Sequence, residues 1–268
     1  MPKFLTSLIL FFFGVSPAYS HELWIEPLKY QVNSGEMIVA EIKNGQLFEG
    51  NSLPYATRSI VSLEVSVGDK RQPIDGELGA RPAIGFVPLG DGLAVIGYQT
   101  KATFLKYSEW QKFQNFADHK DFPNALKKHL ARGFSEEEVR EGYTRFSKSL
   151  VASGTAEGKD HPFGFEAEII ALDNPYTIQD DAISVLLAYQ GIPLPNHQIE
   201  IFERPPSGTV NVIYTRTDLK GVATFEAKRG YEYMLDAVIF REPSAELLQR
   251  MDVQWETLWA NLTFARPD

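Results

Sequence analysis

The chain has 268 residues, a formal net charge of −9, a hydrophobic content of 44% and no cysteine. Its length allows two ordinary domains, and its composition excludes an intrinsically disordered chain. The acidic balance argues against nucleic acid or an anionic membrane as partner. The missing cysteines exclude disulfides and thiolate metal sites, leaving histidine, carboxylates and the amino terminus as ligands.

Lys3, the apolar run Phe4 to Val15 and the break at Ser16-Pro17 have the layout of a secretory signal over residues 1–20. Ala18 and Ser20 supply the small residues a signal peptidase needs, so cleavage is expected after Ser20. The apolar run is too short to span a bilayer, and no later segment approaches that length, so the mature form is expected to carry no transmembrane segment. His21 would then be the first mature residue. Its free α-amine and its imidazole could close a chelate ring on one metal ion, a neutral nitrogen pair that suits copper, nickel, cobalt or zinc.

Residues 21–107 read as an N-terminal β-sandwich domain. Val61, Leu63, Val65 and Val67 alternate with polar residues, and Met37 to Ile42 and Leu93 to Tyr98 are further strands. Turn signals such as Asn33-Ser34-Gly35, Asp75-Gly76 and Gly90-Asp91-Gly92 separate them. In the first strand His21, Leu23 and Ile25 share one face, and Glu22, Trp24 and Glu26 the other.

Residues 108–150 read as a helical insertion. Ser108 with Gln111 and Ser135 with Glu138 fit capping boxes. Trp110, Phe113 and Ala117, then Val139, Tyr143, Phe146 and Leu150, recur at helical spacing. Residues 151–160 are small and polar and read as a linker.

Residues 161–268 read as a second β-sandwich domain, with strands near 165–172, 183–189, 198–202, 210–215, 222–227 and 231–239. A short helix follows Pro243, and a last strand begins near Trp255. The order Gly191-Ile192-Pro193-Leu194-Pro195 to Gln198-Ile199-Glu200-Ile201, then Asp218 to Phe225, resembles transthyretin-like or carboxypeptidase-regulatory-like sandwiches. The expected fold is mainly β: two sandwich domains, Ig-like or transthyretin-like, with a helical insertion between them.

A broader resemblance rests on His21 to Pro27, Gly45 to Gly50, Glu109-Trp110 through His119-Lys120-Asp121, and Trp255 to Phe264. Together these segments resemble a bacterial periplasmic family of unknown function, often labelled as the periplasmic component of nickel or cobalt uptake. The resemblance covers essentially the whole mature chain. It implies a periplasmic protein with a link to transition metals. Where many members carry a histidine in the late strand, this chain reads Ala237-Val238-Ile239-Phe240.

A terminal histidine chelate needs further ligands. His119, flanked by Asp118 and Asp121, and His161 at the domain junction are the candidates; with His21 they make up the expected metal set. His129, beside Lys127 and Lys128, and His197, in a turn after Pro195-Asn196, read as surface residues. No His-Glu-x-x-His motif, phosphate loop or Gly-x-Ser-x-Gly elbow occurs. Trp24, Trp255 and Trp259 read as core rather than as a sugar platform.

The expected function is therefore binding of copper, nickel or cobalt for uptake or homeostasis, without catalysis. The partners are the metal ion and an inner-membrane metal transporter. Two alternatives stand beside it: an exported protein- or glycan-interaction module, and a copper-dependent oxidase with a histidine brace.

Overall fold

The computed structural model describes residues 21–268. The expected signal segment, 1–20, lies outside the described residues. In chain order the elements are β1 (Glu22–Pro27), β2 (Gln31–Val32), β3 (Ile38–Gln46), β4 (Glu49–Leu53), β5 (Ile60–Val67), β6 (Lys70–Pro73), β7 (Ile84–Phe86), β8 (Gly92–Thr100) and β9 (Thr103–Lys106). Then come α1 (Trp110–His119), α2 (Ala125–Ala131), β10 (Arg140–Ser153), β11 (Ala167–Ala171), β12 (Ala182–Tyr189), β13 (Ile192–Pro193) and β14 (Gln198–Arg204). The chain closes with β15 (Asn211–Arg216), β16 (Val222–Glu226), β17 (Glu232–Arg241), α3 (Ala245–Arg250) and β18 (Trp255–Ala265).

The protein is mainly β. A ten-stranded sheet in the order β15-β14-β17-β18-β10-β8-β5-β6 runs through both halves of the sequence, with β2 and β9 pairing alongside β10. Two four-stranded sheets cover it, one built from β1, β3, β4 and β7, the other from β11, β12, β13 and β16. Strand alternation decides which residues meet which cover. Ala94 and Ile96 of β8 join Leu23, Ile25, Ile38 and Leu63 under the first small sheet. Leu93 and Val95 join Ile183, Val185, Leu235 and Leu262 under the second. Helices α1 and α2 lie on the same face as the first small sheet, where Phe113, Phe116 and Ala117 pack on Val238, Trp255 and Trp259, whereas Leu247 of α3 meets Gly142 on the opposite face.

The helical reading of 108–150 stops at Ala131. Residues 140–153 form β10, the longest strand, pairing in parallel with β18 and antiparallel with β8 and β9. The Val139, Tyr143, Phe146 and Leu150 spacing is not a helix stripe; Tyr143 and Phe146 point to opposite faces of a strand buried on both sides. The two capping boxes also fail. The N-cap of α1 is Glu109 with no side-chain cap, and Ser135 Oγ instead accepts from the Glu137 N–H. Residues 151–153 of the expected linker belong to β10, and Val151 and Ala152 are core.

Candidate functional site

Four buried polar residues lie on neighbouring strands of the large sheet: Ser147 in β10, Asn261 in β18, Asp236 in β17 and Glu200 in β14. The pairing register lines them up. Ser147 pairs with Asn261, Asn261 with Asp236, Asp236 with Glu200, and Glu200 with Tyr214 of β15. Directly paired residues share a face, so these form one polar row across five strands. The row lies on the face that carries β1, α1 and α2.

β1 and α1 both reach down to it. From β1, the Leu23 carbonyl accepts from Ser147 Oγ at 2.8 Å, and the Ile25 carbonyl from Thr263 Oγ1 at 2.7 Å. The C-terminal end of α1 delivers Lys120, whose Nζ lies 2.8 Å from Glu200 Oε1, 3.1 Å from Asp236 Oδ2 and 3.6 Å from Glu22 Oε1. The same ammonium sits 4.8 Å from the Trp259 ring centroid. All four charged side chains are buried.

Three carboxyls around one ammonium cannot all ionise cheaply. Burial raises the Glu22 carboxyl to about 8, with Lys120 only partly offsetting it. Burial likewise raises Asp236. Glu200 goes the other way: burial opposes its charge, but the His119 hydrogen bond and the Lys120 ammonium together hold it below the usual range. Lys120 is raised because Asp236 and Glu200 outweigh its desolvation. The arrangement thus favours the proton on Glu22 and the negative charge on Glu200.

The row reaches the surface at its β15 end. His119 Nε2 lies 3.4 Å from Glu200 Oε2, and its ring meets Tyr214 edge-on at 6.3 Å; both residues are partly or largely exposed. The other end is anchored by Arg145, whose guanidinium donates to the His21 carbonyl at 2.7 Å and lies 4.6 Å over the Tyr143 ring.

His21 itself is exposed and lines a cavity of about 700 Å³ together with Asn44, Gln46, Glu49 and Asn51 from β3, β4 and their turn, and Thr209 from the β14–β15 loop. Asn44 Nδ2 donates to the Glu22 carbonyl at 3.1 Å, so two side chains grip the main chain at the start of β1. The floor of this cavity is tight: a Cβ at Gly50 would meet the Asn44 carbonyl oxygen at 2.6 Å and Trp24 Cη2 at 2.8 Å.

The other expected ligands fall as follows. Asp118 is exposed on α1, and Asp121, at φ 61°, pairs with Arg216. His119 flanks the same buried cluster that begins one residue after His21. His161 stacks on Phe163 at 5.5 Å and belongs to the opposite face of the large sheet, so it does not join His21. Among the described residues no group of three or more His, Cys, Asp and Glu side chains is arranged to hold a metal ion. No described helix is long and apolar enough to cross a membrane.

Residues 18–240 fit the family described as Domain of unknown function (DUF4198). The chain belongs to this family. A search of the curated proteins finds no match. The family match spans His21, α1, α2 and all of the polar row except Asn261.

Two histidines read as surface are not. His129 is fully buried; its Nδ1 accepts from Trp255 Nε1 at 3.0 Å, which leaves Nε2 to donate to the Ser135 carbonyl at 2.9 Å. His197 turns inward to the Val238 carbonyl at 2.9 Å, and burial lowers its imidazole from the usual value. Sequence reasoning also passed over Glu22, Lys120, Arg145, Glu200 and Asp236. The available signal was a lone charge inside an apolar strand, as in Ile199-Glu200-Ile201 and Leu235-Asp236-Ala237.

Proposed function

We propose that the protein binds a copper, nickel or cobalt ion as cargo in the periplasm, through the α-amine and imidazole of His21 once the segment before it is removed. The observation that carries this reading is the setting of His21. It is exposed on a cavity while its own carbonyl is fixed by Arg145 and the next carbonyl by Asn44. A chelating residue whose main chain is already held loses less freedom on binding. Glu49 and the amide side chains of Asn44 and Asn51 line the same cavity and offer oxygen donors. The chain's net charge of −9 favours approach of a cation. Binding without catalysis suits these features, with hand-off to an inner-membrane metal transporter.

In this proposal residues 21–107 and 161–268 are two sandwich units, the second transthyretin-like, sharing β10. In support, one core cluster is drawn from residues 23–98 with Val151, and the largest one mostly from residues 163–264.

The reading is tested by titrating the exported, processed protein with copper and with nickel in a calorimeter, beside His21→Ala. The proposal expects stoichiometric binding in the first and a loss of most affinity in the second. Equal affinity of the two proteins contradicts it.

A further inference from the structure

On the opposite face of the large sheet, Lys148 of β10 is fully buried between two carboxyls that the chemistry above does not use. Its Nζ lies 2.7 Å from Asp160 Oδ1 and 3.0 Å from Glu168 Oε1, with side-chain exposures of 1%, 0% and 3% for Lys148, Asp160 and Glu168. A third contact runs to the His161 carbonyl at 3.2 Å, and the Phe163 ring centroid lies 5.7 Å from the nitrogen. Phe146, Leu150, Phe163 and Phe165 belong to the apolar cluster around this group.

Each carboxyl is fixed by main-chain donors. Asp160 Oδ1 accepts from the His161 N–H at 2.7 Å, and Oδ2 from the Ala171 N–H at 2.8 Å. Glu168 accepts from the N–H groups of Phe163, Gly164 and Phe165 at 2.7, 3.2 and 3.3 Å. An amine thus touches one oxygen of a carboxyl whose two oxygens are each polarised by an N–H, with a second carboxylate touching the same amine. Those are the requirements of acyl transfer: a nucleophile in contact, donors aimed at the developing oxyanion, and a proton carrier.

We propose that Lys148 and Asp160 become joined by an amide bond formed by the protein itself, with Glu168 as the proton carrier. Glu168 takes a proton from the Lys148 ammonium, and the freed Nζ attacks Cγ of Asp160. The new N–C bond forms while negative charge gathers on the oxygens held by the His161 and Ala171 N–H groups. One C–O bond of Asp160 then breaks. The departing oxygen leaves as water with two protons, one returned by Glu168 and one given up by Nζ, whose last proton stays as the amide N–H. An ammonium and a carboxylate give an amide and one water, with no change of oxidation state and no co-reactant. The apolar surroundings favour the neutral product over a buried charge pair and keep bulk water from reversing the step. The link would fasten β10 to the segment entering β11 in a chain that has no cysteine for a disulfide.

Tryptic mapping of the purified full chain by mass spectrometry under denaturing conditions tests this. The expected result is a branched peptide containing Lys148 and Asp160, lighter by one water than its two parts, with no cleavage after Lys148. Asp160→Asn should give the same branch with loss of ammonia instead. Glu168→Gln and Lys148→Arg should give linear peptides only; where either fails to fold, the wild-type and Asp160→Asn maps decide the matter. A wild-type linear peptide ending at Lys148 overturns the proposal. So does a loss of water confined to an unbranched Asp160-His161 peptide, which is a succinimide, or a branch at Lys120.

Discussion

Glu141 sits wholly buried on the α1–α2 face of β10 with no cation in contact; Tyr107 and Thr257 donate their hydroxyl protons to its two oxygens. Burial raises its carboxyl from 4.5 to about 7, the two hydrogen bonds notwithstanding. At about 1.36 kcal/mol per unit, ionising this group in the fold costs on the order of 3 kcal/mol. The folded state therefore binds the proton more tightly than the unfolded state, and stability falls as pH rises from about 4.5 to beyond about 7. Glu141→Gln removes that charge. Thr257 already accepts from Trp259 Nε1, so the amide oxygen turns to Thr257 and the amide nitrogen to Tyr107. The Tyr107 proton then has no acceptor, a cost of about 1 kcal/mol. The variant should be less stable than wild type by about 1 kcal/mol at acid pH, and more stable by about 2 kcal/mol at alkaline pH. Urea denaturation of both proteins below pH 5 and above pH 8 measures the difference, in which Glu22, Asp236 and the other titrating groups cancel. A difference that is the same at both pH values refutes the reasoning.

Further outcomes follow from the same structure. Lys120→Met leaves Glu22, Glu200 and Asp236 without their cation, at a cost of about 3–5 kcal/mol. That cost should shrink towards pH 5 as the carboxyls take protons, and denaturation midpoints that do not depend on pH would contradict this. His129→Ala empties a site that holds Trp255 Nε1 and the Ser135 carbonyl, and should destabilise by about 3 kcal/mol in chemical denaturation. Gly50→Ala forces a methyl group against the Asn44 carbonyl and Trp24, costing about 1–3 kcal/mol and lowering the melting temperature. An unchanged melting temperature there would show that β4 yields freely.

The strands whose two faces differ were legible in sequence. Ile183, Val185 and Leu187 of β12 alternate with less buried neighbours, and the period of two shows it. The central strands were not legible by that rule. In β10 every residue from Phe146 to Ser153 is buried, so no alternation survives. Lys148, Ser147 and Ser149 look like exposed positions until their partners are known. Those partners come from afar: Asp160 and Glu168 for Lys148, Asn261 for Ser147, Thr263 for Ser149. The candidate site was half readable for the same reason. Local sequence singles out His21 through the expected cleavage after Ser20 and His119 through its flanking acids, but the polar row exists only once β10, β14, β17 and β18 are in register. His129 misled because its lysine neighbours are exposed while its own side chain lies on the inner face of α2, among Trp110, Phe113 and Trp255.

The terminal-histidine site is tested most directly by adding one alanine ahead of His21 and comparing copper and nickel affinity with that of protein that begins at His21. The insertion turns the chelating amine into an amide nitrogen, a poor neutral ligand, while an exposed strand end tolerates the extra residue. The extended form should keep the melting temperature of the metal-free protein and lose most of its affinity. Undiminished affinity, with copper or with nickel, would contradict a site built on the amine and imidazole of His21.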